Sequence, residues 1–158
     1  MKYPLSLNDF HKDWTRLVAK TVTGYELLSP EERVWYNVQG LIGDVDNGGL
    51  IGYYSNPGAD RLLETMADLK TIDAHYILDL LTKVNAFFTD SLPPADMRER
   101  NAAIDVWKSA SVSRMLEKLD MEFYRRCPDL ENTLVEFILA NNLTMMDGVV
   151  STESSVAK

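Results

Sequence analysis

Val45-Asp46-Asn47-Gly48-Gly49-Leu50-Ile51-Gly52-Tyr53-Tyr54-Ser55-Asn56 is the stretch whose reading decides the fold. Asn-Gly between two strands makes a β-hairpin turn. Between helices, Asn-Gly-Gly supplies residues that accept positive φ, as a helix C-terminus and a chain reversal require. The flanks choose between the two. Upstream, Ser29-Pro30-Glu31-Glu32 reads as a helix start, with serine as N-cap, proline at N1 and glutamate at N3 closing a capping box. Val34, Val38, Leu41 and Val45 then recur at helical spacing. Gly40 and Gly43 lie on the opposite side of that stripe, each costing the helix about 1 kcal/mol against alanine. Downstream, Leu50 to Ser55 reads as one or two helical turns, and Asn56-Pro57-Gly58 as a second bend. Neither flank alternates with period two, so the stretch is a bend in a helical protein.

The rest of the chain has the same character. A first helix is predicted from Asn8 to Thr21, with Phe10, Trp14, Leu17 and Val18 on its buried face and Gly24 ending it. Asp60 to Leu69 reads as a helix with Leu62, Leu63, Met66 and Leu69 inward. Thr71 to Phe88 reads as another, on the stripe Ala74, Ile77, Leu81, Val84 and Phe88. Pro93-Pro94 interrupts before a helix from Ala95 to Lys108. Val112, Met115, Leu116, Leu119 and Phe123 form the next inward face. Pro128-Asp129 punctuates, and a last helix runs from Leu130 to Asn141. The expected architecture is an all-α, single-domain bundle of about seven helices with short loops, spanning residues 1–146. From Asp147 the chain is small and polar, and a flexible C-terminal tail is expected over 147–158.

Composition narrows the function classes. Hydrophobic residues at 46% and charged residues at 25% are ordinary for a globular protein. There is no apolar run of about 18 residues and no apolar signal-peptide core after Met1, so neither a membrane span nor secretion is expected. The single cysteine, Cys127, excludes an internal disulfide and fits a reducing cytoplasm; beside Pro128 and near Phe123 it reads as buried filler. A net charge of −8 disfavours direct nucleic-acid binding, which wants a basic surface, and suits a basic protein partner.

Catalytic signatures are absent from the sequence. Gly48, Gly49 and Gly52 do not match a dinucleotide or phosphate loop, and no strand precedes them. Their expected role is backbone geometry, with Asn47 and Asn56 bonding local backbone groups. Of the adjacent Tyr53 and Tyr54, one is expected at the core and the other is free to be exposed. His75 and Asp79, at i and i+4, would need Asp44 and Asp46 from elsewhere to form a metal-dependent hydrolytic site; the plainer reading is a solvated pair, and no metal or cofactor is expected. The carboxylates carry more pattern. Asp60, Glu64 and Asp68 follow at i, i+4 and i+8, about 6 Å apart along the axis. Asp44 and Asp46 sit at a helix C-terminal end, where they oppose the macrodipole. Such placements work mildly against stability, and a row of carboxylates can attract a basic surface.

Three blocks also occur in one order in a known family. They are Leu28-Ser29-Pro30-Glu31-Glu32-Arg33-Val34-Trp35-Tyr36, the Val45-to-Tyr54 segment with Asn56 after it, and Leu116-Glu117-Lys118-Leu119-Asp120-Met121-Glu122-Phe123-Tyr124. In these the chain resembles the bacterial DNA-mimic protein family over about Glu26 to Asn141. It departs from the family pattern at Asp46 and Leu50, and in carrying Gly40 and Gly43. The resemblance implies a mostly helical fold, no known enzymatic activity and, for the family's namesake, an acidic dimer that occupies the DNA-binding face of a transcription regulator.

The expectation is therefore a cytoplasmic, non-catalytic interaction module, as a monomer or homodimer. Its acidic face of Asp44, Asp46, Asp60, Glu64 and Asp68 would dock on a basic partner such as a DNA-binding regulator. The alternatives are the hydrolytic site above, or an immunity- or scaffold-type module using an apolar patch of exposed Tyr53, Tyr54 or Trp107.

Overall fold

The computed structural model describes residues 4–145, and they form an all-α fold of six helices without a sheet. Helix α1 (His11–Thr23) follows a 3-10 turn at Leu7–Phe10. Helix α2 (Pro30–Ser55) is the long central element, and a 3-10 turn at Pro57–Arg61 leads from it into α3 (Leu62–Thr71). Then come α4 (His75–Asn85), α5 (Met97–Ile104) and α6 (Ala110–Ala140). Helix α2 touches α1, α3, α5 and α6, so it is the axis about which the others pack. The predicted tail over 147–158 lies outside the described residues.

The start of α2 is built as its sequence demands. The Glu32 amide donates to Ser29 Oγ (3.1 Å), the Glu32 carboxylate accepts from the Ser29 amide, and Pro30 occupies the first turn. Val34, Val38, Leu41 and Val45 are all buried, together with Trp35 and Leu50. Phe10 and Leu17 of the N-terminal segment cover one side of this core. Ile77, Leu81 and Val84 of α4 and Phe123, Leu130, Leu134 and Ile138 of α6 close the rest.

Several predicted details change. The Asn47-Gly48-Gly49 segment does not reverse the chain. Helical hydrogen bonding resumes beyond it, leaving a kink at Gly48 (φ −156°, ψ 18°) and Gly49 (φ 69°, ψ −173°) inside α2. The helix predicted over Thr71–Phe88 begins only at His75, because Asp73 adopts a left-handed conformation (φ 58°) and breaks the chain between α3 and α4. Leu63 and Met115, predicted inward, are exposed. Both fall beside, rather than on, the stripes that face the core.

Pro128 does not end a helix. It sits inside α6, which runs through it unbroken. A proline there removes one backbone bond at a cost of about 3 kcal/mol. The apolar stripe Leu119, Phe123, Cys127, Leu130, Leu134 and Ile138 keeps one register across the proline, and every member is buried. At about 1.5–3 kcal/mol for each large apolar side chain, the three buried beyond Pro128 outweigh the lost bond.

Candidate functional site

The kink in α2 is capped from α6. Breaking the helix at Gly48-Gly49 frees backbone groups on both sides of the break. On the far side, the Leu50 amide donates to Asp120 Oδ1 at 2.8 Å. On the near side, the Val45 carbonyl accepts from the Tyr124 hydroxyl at 2.8 Å. Gly49 packs so close that a Cβ there would lie 2.6 Å from Asp120 Oδ2. Two of the blocks read separately in the sequence, Val45–Tyr54 and Leu116–Tyr124, are thus the two halves of one joint. Burial pushes the Asp120 carboxyl above its ordinary range, against the pull of the Leu50 amide, and Glu117 adds to the rise. A third tie crosses the kink where the Asn56 amide donates to Asp44 Oδ1 at 3.1 Å.

Part of the outer face of α2 beside the kink stays open. Tyr36, Gly40, Gly43, Asp44 and Asn47 follow at helical spacing on that face. A Cβ added to Gly40 or Gly43 would meet nothing within 4 Å. Two adjoining hollows open there and share Trp14, Gly40 and Asp44. One, of about 540 Å³, is bounded by the N-terminal segment and also by Asp46, Asn47 and Glu131. The other, of about 870 Å³, reaches Tyr36 and Tyr53 and ends at Asp60, Arg61 and Glu64. Both have the size of ordinary ligand sites. Trp14, common to both, stacks at 6.0 Å between centroids on Tyr36, which lines the larger hollow, and Tyr25, behind the lining, meets Tyr36 edge-on at 5.9 Å.

The predicted carboxylates fall unevenly around this groove. Asp44 lies at its centre, half-buried, with its carboxyl raised by desolvation and eased by Asn56. Asp46 is exposed at one end. Asp60 and Glu64 stand at the other end, already engaged. The wholly buried Arg100 holds Asp60 at 2.8 Å, while Glu64 accepts from the Tyr25 hydroxyl (2.8 Å) and faces Arg61 at 3.9 Å. Asp68 is not part of the groove lining. It is half-buried behind Asn37, whose amide donates to it at 2.8 Å, and burial raises its carboxyl.

The other candidates do not come together. His75 pairs with Asp73 (3.6 Å), and the described residues contain no group of three or more His, Cys, Asp or Glu able to hold a metal ion. The convergence of Asp44, Asp46, His75 and Asp79 that hydrolysis requires therefore does not form. Tyr53 and Tyr54 are both buried, against the expectation that one is free to be exposed. The turn at Pro57–Arg61, α3 and α5 all pack against α2, and Arg100 of α5 donates to the Tyr54 carbonyl. The Tyr54 hydroxyl donates to Asn85, and Trp107 packs edge-on against Phe88 at 4.6 Å. Tyr53 and Tyr54 are thus core and the partly buried Trp107 packs against it, so the three form no exposed apolar patch. Among the described residues no helix is long and apolar enough to cross a membrane.

Sequence reasoning missed Glu131, Trp14 and Tyr36 as groove residues. Glu131 reaches the groove from α6 and has no nearby signal, whereas the out-of-place Gly40 and Gly43 did mark the face. Asp44, Asp46 and Glu131 have no basic side chain within ion-pair distance among the described residues. Burial, reinforced by Asp46, raises the Glu131 carboxyl.

No curated protein and no solved structure matches the chain. The sequence pattern of the DMP19-like protein family matches residues 26–141, from just before the Ser29 cap of α2 to the end of α6. That span contains the kink, both of its caps and most of the groove, and on this match the chain belongs to the DMP19-like protein family.

Proposed function

We propose that the protein is a non-catalytic binding module that docks a basic protein, of the DNA-binding regulator type, against the outer face of α2. One observation carries this reading: Asp44, Asp46 and Glu131 line a single open hollow, together with His11, and among the described residues none of the three carboxylates has a basic side chain within ion-pair distance. Unpaired carboxylates at a partly desolvated site raise each other's energy, and an incoming cation relieves that cost. Asp60 and Glu64 extend the negative rim, although Arg100 and Arg61 screen them. The net charge of −8 adds long-range attraction, and the same carboxylates would compete with DNA phosphates for the partner's basic surface. The scaffold suits such a role, since the Asp120 and Tyr124 caps fix the kink and α2 presents its carboxylates from a rigid element.

Retention of host proteins on the immobilised chain tests the reading. A DNA-binding protein should be captured, released by duplex DNA, and released by salt as the Debye length shrinks from about 30 Å at 0.01 M to about 8 Å at 0.15 M. The double substitution Asp46→Lys, Glu131→Lys should abolish its capture. A captured partner indifferent to duplex DNA, to salt and to that substitution would refute the proposal.

A further inference from the structure

We infer that the glycine-floored groove of α2 is the seat of an arginine side chain from an extended segment of the basic partner. The guanidinium would lie on the Trp14–Tyr36 wall and the carboxylates of Asp44, Asp46 and Glu131 would hold it. This rests on the preceding reading and names the chemistry of its contact.

Gly40 and Gly43 are the first ground. Glycine in a helix interior costs about 1 kcal/mol relative to alanine. The usual structural return, close approach of another backbone, is missing among the described residues, because the space beside both glycines is open. What the two glycines do provide is a bare helix surface. From Tyr36 to Asn47 it runs about 16 Å, the length of about five extended residues.

The second ground is a guanidinium already seated on the same aromatic tier. Arg61 lies 3.5 Å over the Tyr25 ring, beside Glu64, at one end of the groove. Tyr25 meets Tyr36, and Tyr36 stacks on Trp14, so the tier continues toward Gly40. At that end the described residues place no cation over the rings. Carboxylates lie beside this vacant stretch as Glu64 lies beside Arg61. Arginine suits the position better than lysine, because its planar head stacks on aromatic faces and takes carboxylates two at a time.

The probe is a capped arginine–glycine repeat peptide, with lysine–glycine and glutamate–glycine repeats as comparators. Binding is measured by titration calorimetry, and the contact is located by the Trp14 indole N–H resonance. The arginine peptide should bind, shift that resonance, and outbind the lysine peptide, while the glutamate peptide should not bind. Gly40→Leu should weaken arginine-peptide binding by at least about tenfold. It fills the groove without removing any charge, and its melting temperature should equal or exceed that of the parent. Gly43→Leu, filling the adjoining hollow, should act the same way. An unmoved Trp14 resonance, lysine binding as tight as arginine, or undiminished binding to both filled variants would overturn the inference. The two readings can fail separately. If the captured host partner still binds Gly40→Leu and Gly43→Leu but not Asp46→Lys, Glu131→Lys, the acidic face stands and the arginine seat falls.

Discussion

Gly49→Ala should be among the most damaging single-methyl additions in this protein, and its cost can be assembled from two parts. The first is the backbone. Gly49 sits at φ 69° and ψ −173°, a region essentially reserved for glycine, and an L side chain there costs about 1–3 kcal/mol. The second is Asp120. The new Cβ would lie 2.6 Å from Oδ2 and 3.1 Å from Cγ, so the carboxylate must swing away. Its Oδ1 then leaves the Leu50 amide, and a buried donor without an acceptor costs about 1–3 kcal/mol. Together these come to about 2–6 kcal/mol, against a total stability of about 5–15 kcal/mol for a typical domain. Urea unfolding followed by helical circular dichroism should show the midpoint lowered by about 1 M or more.

A double-mutant cycle separates the two parts. Asp120→Ala alone removes the acceptor and should cost about 1–3 kcal/mol. In that background Gly49→Ala should retain only its backbone part, so the two changes together fall short of additivity by about 1–3 kcal/mol. Gly48→Ala is the control. Its Cβ meets nothing within 4 Å and φ is −156°, so it should stay within about 1 kcal/mol of the parent. A Gly49→Ala protein within about 1 kcal/mol of the parent, or strict additivity with Asp120→Ala, would refute this account of the joint.

Arg100→Ala should destabilise by about 3–5 kcal/mol in the same unfolding assay. Buried Arg100 donates to the carbonyls of Tyr54, Asn56, Pro94 and Ala95 besides holding Asp60, and all lose their donor together. Acidification should initially stabilise the protein. Asp44, Asp68, Asp120 and Glu131 all have carboxyls raised by burial, so the folded state binds their protons more tightly than the unfolded state. Stability then grows as pH falls through their folded values toward the ordinary value near 4, and is lost as pH rises through them. The exposed Asp9 and Glu122, held low by Ser6 and Arg125, oppose this only below the ordinary range. Melting temperatures that drop steadily from pH 7 to about pH 5 would contradict the assignment. Cys127 should resist a thiol reagent at pH 8 until the protein unfolds, because it is buried and its thiol is pushed up to about 12. Prompt labelling of the native protein would show that this part of α6 opens.

Much of the fold is legible because its information is local. The Ser29 capping box, the stripes of α2 and α4 and the helical flanks around Asn47 need no knowledge of distant residues. The errors share one cause. Pro128 reads as a stop because proline costs a helix its backbone bond, and only the six-residue buried stripe spanning it shows which term prevails. The exposure expected for one of Tyr53 and Tyr54 follows from an isolated helix, whereas here neighbouring elements bury both. The candidate site divides the same way. Asp44 and Asp46 lie two positions apart in sequence and reach the groove together. Glu131 joins them from a helix some eighty positions later, and Asp60 is neutralised by Arg100 from α5, a pairing that no spacing reveals.

The glycines show most clearly where sequence reasoning ends. Gly40, Gly43, Gly48 and Gly49 lie within one helix, and by propensity alone each is the same small penalty. The structure gives them different meanings. Gly49 is required by its own backbone and by the carboxylate pressed against it, so its cause lies within the fold. Nothing among the described residues requires Gly40 or Gly43, since a Cβ at either would meet none of their atoms within 4 Å. If the proposed arginine seat is right, the reason for glycine at these two positions lies in the partner that approaches α2. Filling Gly40 therefore separates the two kinds of constraint in one experiment: stability should hold or rise while binding is lost.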